Sequence, residues 1–281
     1  MSRGRSGEAP PLPEPLPAPV VDNHTHLDIV LETVDSTAAA ELDKAASVGV
    51  DRIVQVGTTL DSSRWAAELA ARDERVLAAI AVHPNDAPRL DAAALDEALD
   101  QLDALAGQQR VRAVGETGLD FYRTREDDAL KVQEESFRRH IDLAKRHGLA
   151  LMIHDRDAHD DVFRVLESEG APSTVVFHCF SGDAEMARRC ADLGYYMSFA
   201  GNTTFAKSTD LREAAVLAPR ELLMVETDAP FLTPMPYRGR PNSPYLTALT
   251  VRAIAQERGD DLTELCVAVS DNAERVYGRW S

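Results

Sequence analysis

Cysteine is scarce in this chain: Cys179, Cys190 and Cys266 are its only three in 281 residues, widely spaced and without a Cys-x-x-Cys pair. An odd, scattered set argues against a disulfide framework and fits a reducing compartment, so a cytoplasmic protein is expected. Aromatic residues are few as well, at 6%. No apolar run approaches the roughly 20 residues that span a bilayer, and the N-terminal stretch lacks the apolar centre of a secretory signal; no membrane attachment is expected. Positive charge is short too. Thirty Lys and Arg stand against 47 Asp and Glu, a net charge of −17 with pI ≈ 4.8. A protein that grips duplex DNA by its phosphates carries a basic patch, because counterion release supplies much of the affinity. Here the basic residues come in short clusters (Arg138-Arg139, Lys145-Arg146, Arg188-Arg189, Arg238 to Arg240) that read as solvated faces. A phosphodiester substrate would therefore need bound cations to offset the local field. Also missing are a Gly-x-Ser-x-Gly elbow, a Walker phosphate loop and a Gly-x-Gly-x-x-Gly fingerprint.

What is present is a repeating alternation. Residues 1–18 are Pro-rich and read as an extended or disordered tail, leaving 19–281 as one domain. Beyond the tail, β-branched runs predict strands over 19–23, 52–56, 76–82, 111–115, 150–153, 174–178, 195–199 and 222–225. Alanine-rich stretches of helical period lie between them, over 36–48, 62–72, 91–105, 129–147, 158–169, 184–193 and 208–217. Two further helices are expected within 245–277, one of them closing the series. Gly49, Gly148, Gly170 and Gly194 fall where helix C-termini need a residue free to take positive φ, and Asp35/Ser36, Asp61/Ser62 and Asp91 stand as N-cap oxygens. Eight strand–helix repeats predict a parallel sheet closed as a (β/α)₈ barrel, with a doubly wound open sheet as the alternative.

The polar residues then fall into a pattern. His24 and His26 follow the first strand and, being two apart, aim to one face. His83 ends the third strand, Glu116 the fourth, His154 the fifth and His178 the sixth, and Asp228 follows the eighth. In a barrel these carboxyl ends converge on one mouth, where barrel enzymes keep their chemistry. His140, His147 and His159 fall in or beside helices and are expected at the surface.

Four imidazoles and two carboxylates exceed what one tetrahedral ion needs, so two adjacent divalent ions are expected, about 3.5 to 4 Å apart. Glu116 is the natural bridge, with His24, His26 and Asp228 on one ion and His154 and His178 on the other. Water held between two cations is acidified to hydroxide near neutral pH, giving a nucleophile without Ser or Cys. Asp228 can take its proton and return it to the leaving group, so the reaction class is hydrolysis.

These blocks together resemble the TatD family of metal-dependent deoxyribonucleases, within the amidohydrolase-like barrels. The likeness runs from about Val20 to Tyr277 through Asp22-Asn23-His24-Thr25-His26, Ala81-Val82-His83-Pro84, Gly115-Glu116-Thr117-Gly118-Leu119-Asp120, His154-Asp155-Arg156-Asp157-Ala158, Phe177-His178-Cys179-Phe180-Ser181-Gly182, Phe199 to Phe205, Glu226-Thr227-Asp228-Ala229-Pro230-Phe231-Leu232 and Arg238-Gly239-Arg240-Pro241-Asn242. The resemblance implies that His24, His26, Glu116, His154, His178 and Asp228 bind divalent metal, and that the chain is a 3′–5′ exonuclease on single-stranded DNA ends with a role in repair and DNA degradation. Two departures stand out: Asn85 where the family often has histidine after His83-Pro84, and Asp155 where a small residue is common. His83, Arg156 and Arg240 are the expected substrate contacts, because imidazole and arginine forks suit phosphate oxygens. The metal is left open among Mg, Mn and Zn: imidazole-rich ligation favours Zn or Mn, while the family's activity is tied to magnesium. The acidic composition keeps a small amide, lactone or phosphate ester as the alternative substrate. A monomer or weak oligomer is expected.

Overall fold

In a computed structural model, which describes residues 8–280, eight strands follow one another around a single parallel sheet in the order β1 to β8. They are β1 Val20–Thr25, β2 Val50–Val56, β3 Val76–Ile80, β4 Val111–Asp120, β5 Ala150–Arg156, β6 Val175–Phe177, β7 Tyr196–Phe199 and β8 Leu223–Val225. Each is buried along most of its length, as strands covered on both faces must be. The sheet closes past the end of β8: Asp228 N–H donates to His24 O at 3.0 Å and His26 N–H to Ala229 O at 2.8 Å, with a bridge pairing Thr25 and Ala229. The chain is a (β/α)₈ barrel.

Ten α-helices surround the barrel among the described residues: α1 Leu27–Thr33, α2 Ala38–Ser47, α3 Leu60–Arg72, α4 Ala92–Ala106, α5 Asp127–His147, α6 His159–Glu169, α7 Ala184–Leu193, α8 Thr209–Leu217, α9 Thr247–Arg258 and α10 Leu262–Tyr277. Helix α1 was not expected. Asp91 caps α4 as anticipated; α2 is capped by Thr37, just past the expected Asp35/Ser36, and α3 by Thr59, with the expected Ser62 forming the other half of a capping box from the third helical position. Gly148 and Gly194 take left-handed C-cap positions. The helix-facing core is built from residues such as Ile53, Ile80, Leu102, Phe137 and Phe177. Inside the barrel, below its mouth, Val21, Val54, Leu77, Met152 and Met224 pack with Tyr277, the last residue of α10, and Trp280 just past it. Full burial of an aromatic side chain such as Tyr277 contributes roughly 1.5–3 kcal/mol.

One expectation is corrected here. His140 is fully buried, not at the surface: its Nε2 accepts from Val82 N–H at 3.1 Å and its Nδ1–H donates to Ser136 O at 2.7 Å. Residues 8–18 carry no helix or strand, yet they are strapped to the barrel. Leu16 is buried, its N–H donating to Val48 O. Tyr245 Oη–H donates to Pro10 O, while Arg252 holds the Glu14 and Pro15 carbonyls.

Candidate metal centre

The carboxyl ends of the strands bring the predicted polar residues into one buried cluster. Glu116 sits at its middle, near the end of β4, where Gly118 (φ +141°) lets the chain pass so close to β5 that a Cβ there would stand 2.0 Å from His154 O. Its two oxygens face different partners. Oε2 is 3.5 Å from both His24 Nε2 and His26 Nε2. Oε1 lies 3.2 Å from His83 Nε2, 2.6 Å from His154 Nδ1 and 2.8 Å from His178 Nε2. Asp228 Oδ1 stands 3.5 Å from His26 Nε2 and 3.9 Å from His24 Nε2. Its backbone is left-handed (φ +51°), a conformation fixed by the closing bond to His24 O.

The donor set fits divalent cations on its own geometry. His26 Nδ1–H donates to Val56 O at 3.0 Å, and His24 Nδ1 lies 3.0 Å from the Met152 thioether, which can only accept. Both Nε2 atoms are therefore presented as lone pairs in the neutral rings, and they stand 3.2 Å apart. Two facing lone pairs need a shared cation, and ligands about 2.0–2.1 Å from a tetrahedral zinc are spaced about 3.3 Å from each other. Three groups of donors are close enough to hold an ion: His24, His26 and Asp228; His24, His178 and Glu226; His83, Glu116 and His154. The expected pairing of His154 with His178 is thus looser than drawn from sequence, the two being joined through Glu116 Oε1.

Without cations the cluster holds protons instead. Burial works against a charge on His26, but Asp228 and Glu116 outweigh it and push the imidazole up to about 10. Burial likewise opposes ionisation of Glu116, yet the surrounding His178 and His83 hold its carboxyl well below the usual range. His24 is pushed down by burial and by the neighbouring His178. Cations and protons therefore compete for the same nitrogens.

Several buried groups behind the cluster carry no role in the sequence reading. Glu226 Oε1 accepts from His178 Nδ1–H at 3.2 Å and from Cys179 N–H at 2.9 Å, and its Oε2 accepts from Ser198 Oγ–H at 2.5 Å. Ser198 in turn accepts from Asn23 Nδ2 at 2.6 Å, and Asn23 Oδ1 accepts from Tyr277 Oη–H at 3.0 Å. A continuous chain of hydrogen bonds thus runs from α10 up the barrel axis to His178. On the other side Asp120 Oδ2 lies 3.1 Å from His154 Nε2 and accepts from Asn85 Nδ2 at 2.7 Å, so Asn85 holds the group that holds His154. Asp22 accepts from Thr227 N–H at 2.9 Å and Oγ1–H at 2.5 Å, anchoring the residue before Asp228. The signal for Asp120 was strand alternation, four residues beyond Glu116 on β4; Glu226, past the end of β8, carried none.

The expected substrate contacts separate. His83 Nδ1 accepts from Asn85 N–H at 3.0 Å, which leaves Nε2 protonated and pointing at Glu116. Arg156 ends β5 two residues beyond His154 and so shares its face. Arg240 is directed to the N-terminal segment, donating to Glu8 O at 2.8 Å and Ala9 O at 3.0 Å. Of the two departures, Asp155 pairs with His159 Nδ1 at 2.7 Å, away from the cluster.

A family model described as TatD related DNase matches residues 21–278. The chain belongs to the TatD family. It is 47% identical over 262 residues to the metal-dependent hydrolase TatD of Mycobacterium tuberculosis, covering 92% of this chain and 98% of that protein. To the metal-dependent hydrolase YabD of Bacillus subtilis it is 35% identical, covering 91% and 98%. Among solved structures, the TatD homologue YjjV of Escherichia coli superposes with a TM-score of 0.84 at 28% identity, covering 92% and 98%. Like these TatD relatives, the chain is a metal-dependent hydrolase. No helix among the described residues is long and apolar enough to cross a membrane.

Proposed function

We propose that this TatD protein is a two-cation phosphodiesterase that removes nucleotides from the 3′ ends of single-stranded DNA. The observation that carries this reading is Glu116, whose two carboxylate oxygens address two separate sets of imidazoles, the arrangement a bridging ligand requires. When bound, the cations would supply Lewis acidity, neutralising phosphate oxygens and lowering the pKa of water. His24, His26 and Asp228 would hold one, and Glu116, His154 and His178 the other, with Mg, Mn or Zn as the ion. Asp228, partly open to the mouth, is the group that accepts the proton of the attacking water and returns it to the leaving oxygen. The protonated Nε2 of His83 orients an anionic substrate oxygen. His178 is kept from rotating by Glu226, and Tyr277, Asn23 and Ser198 fix Glu226 from below.

The test is release of labelled nucleotide from 3′-labelled single-stranded DNA by chelated full-length protein reloaded with Mg²⁺, Mn²⁺ or Zn²⁺. Cation-dependent release is expected; none above a His154→Ala control would overturn the proposal. The net charge of −17 favours a second reading, hydrolysis of a small amide, lactone or phosphate ester, and a panel of such substrates under the same cations separates the two.

A further inference from the structure

Many arginines of this acidic chain are engaged by carboxylates: Arg75 by Asp43 and Asp73, Arg138 by Glu134 and Glu169, Arg164 by Glu134 and Asp161, Arg220 by Asp260 and Glu264. Two arginines at the barrel mouth are not. Among the described residues the Arg156 and Arg238 guanidinium groups make no hydrogen bond or ion pair; each lies over an aromatic ring, Arg156 4.0 Å from the Tyr122 centroid and Arg238 4.2 Å from that of Phe205. All four residues belong to the carboxyl ends of strands or the loops that leave them, the same end as the cluster. Tyr122 stands two residues past Asp120, whose carboxylate touches His154, and the residue is 52% exposed. Arg156 is two residues past His154, roughly 6.6 Å further along the strand, and its charge reaches the Cys179 thiol beside His178. Phe205 and Arg238 follow β7 and β8, three strand positions around the barrel.

A ring open to solvent on one side, as Tyr122 is and the half-buried Phe205 is in part, backed by a guanidinium with free N–H groups, matches one half of a nucleotide step. The ring's open face takes a base and the fork takes the adjoining phosphate. Such a ledge gives little to a substrate without a base. We propose that the Tyr122–Arg156 and Phe205–Arg238 pairs are two nucleotide subsites flanking the metal centre, so that the substrate is a single strand with unpaired bases on both sides of the scissile phosphate. This deepens the proposed function and rests on it.

Fluorescence anisotropy tests it with two probes of equal backbone length, a pentathymidylate and an abasic pentamer, both blocked by phosphorothioate linkages and titrated with full-length protein in EDTA and in Mn²⁺. The wild type should hold the base-bearing probe about tenfold or more tightly than the abasic one, within the range that base–aromatic stacks are worth. Tyr122→Leu and Phe205→Leu should each shrink that gap severalfold, Tyr122→Trp should keep it, and Arg156→Gln should weaken both probes alike. Equal binding of the two probes by the wild type, or an unchanged gap in Tyr122→Leu, overturns the subsites. If 3′-labelled DNA is nevertheless degraded in parallel assays, the proposed function stands without them; if neither probe binds and no nucleotide is released, both fall.

Discussion

Replacing Glu226 with glutamine isolates what a buried carboxylate does for a residue it never exposes to solvent. In the wild type three donors converge on it: His178 Nδ1–H, Cys179 N–H and Ser198 Oγ–H. Alanine would orphan all three, and at about 1–3 kcal/mol each the loss would approach the whole stability of an ordinary domain, about 5–15 kcal/mol. Glutamine keeps the shape. Its oxygen still serves His178 and Cys179, while its amide turns to Ser198, which already accepts from Asn23. The serine proton is then left without an acceptor, a cost of about 1–3 kcal/mol. The larger effect falls on the cations, because His178 loses the negative partner that orients and polarises it. Partners of this kind alter metal affinity by about 10–100-fold, so chelator competition should show a weaker affinity of that size in Glu226→Gln. Melting would fall by only a few degrees. A variant that melts lower yet binds cations within twofold of wild type would refute the argument, reducing Glu226 to a packing residue.

Glu116→Gln should lose at least about a hundredfold in cation affinity and abolish hydrolysis while the fold persists, since one carboxylate faces both donor sets; retention of two ions by elemental analysis would contradict it. Burial pushes His140 down to about 4, whereas the unfolded side chain titrates near 6.5. Between those values the unfolded chain binds the extra proton, so stability is complete above pH 6.5 and about 3 kcal/mol is lost as pH falls through 4. Denaturant melts at several pH values, compared with His140→Gln, should diverge in that window; parallel curves would count against it. Gly118→Ala places a Cβ 2.0 Å from His154 O at φ +141°, and a loss of several kcal/mol is expected. Ordinary stability with full cation content in that variant would show that β4 and β5 can separate freely.

The alternation of apolar runs and amphipathic stretches disclosed the barrel, because a strand covered on both faces and a helix covered on one leave different periods. Short-range signals did less well. Helix α1 spans only Leu27–Thr33 and begins at His26 without a side-chain cap, so its sequence merges with the histidine motif. Strand β4 runs through Asp120 because Gly118 admits its neighbour, a contact between elements that local propensity does not contain. His140 follows Gln133, Ser136 and Phe137 on one buried face of α5, a spacing that identifies it as interior despite its polarity. The six candidate ligand positions were legible since each falls at or near the carboxyl end of a strand. Their supports were not: Glu226, Ser198 and Tyr277 become partners only when residues more than 25 apart in sequence meet inside the barrel.

The seam between the last strand and the first has a consequence for how the molecule comes apart. The backbone bonds that close it belong to His24, His26, Asp228 and Ala229, so the joint of the cylinder and three of its charge-bearing side chains share the same few residues. Loading the centre should therefore slow exchange of the His26 and Asp228 amides before that of any helix. Fraying there would silence the enzyme while most of its helical content is still intact.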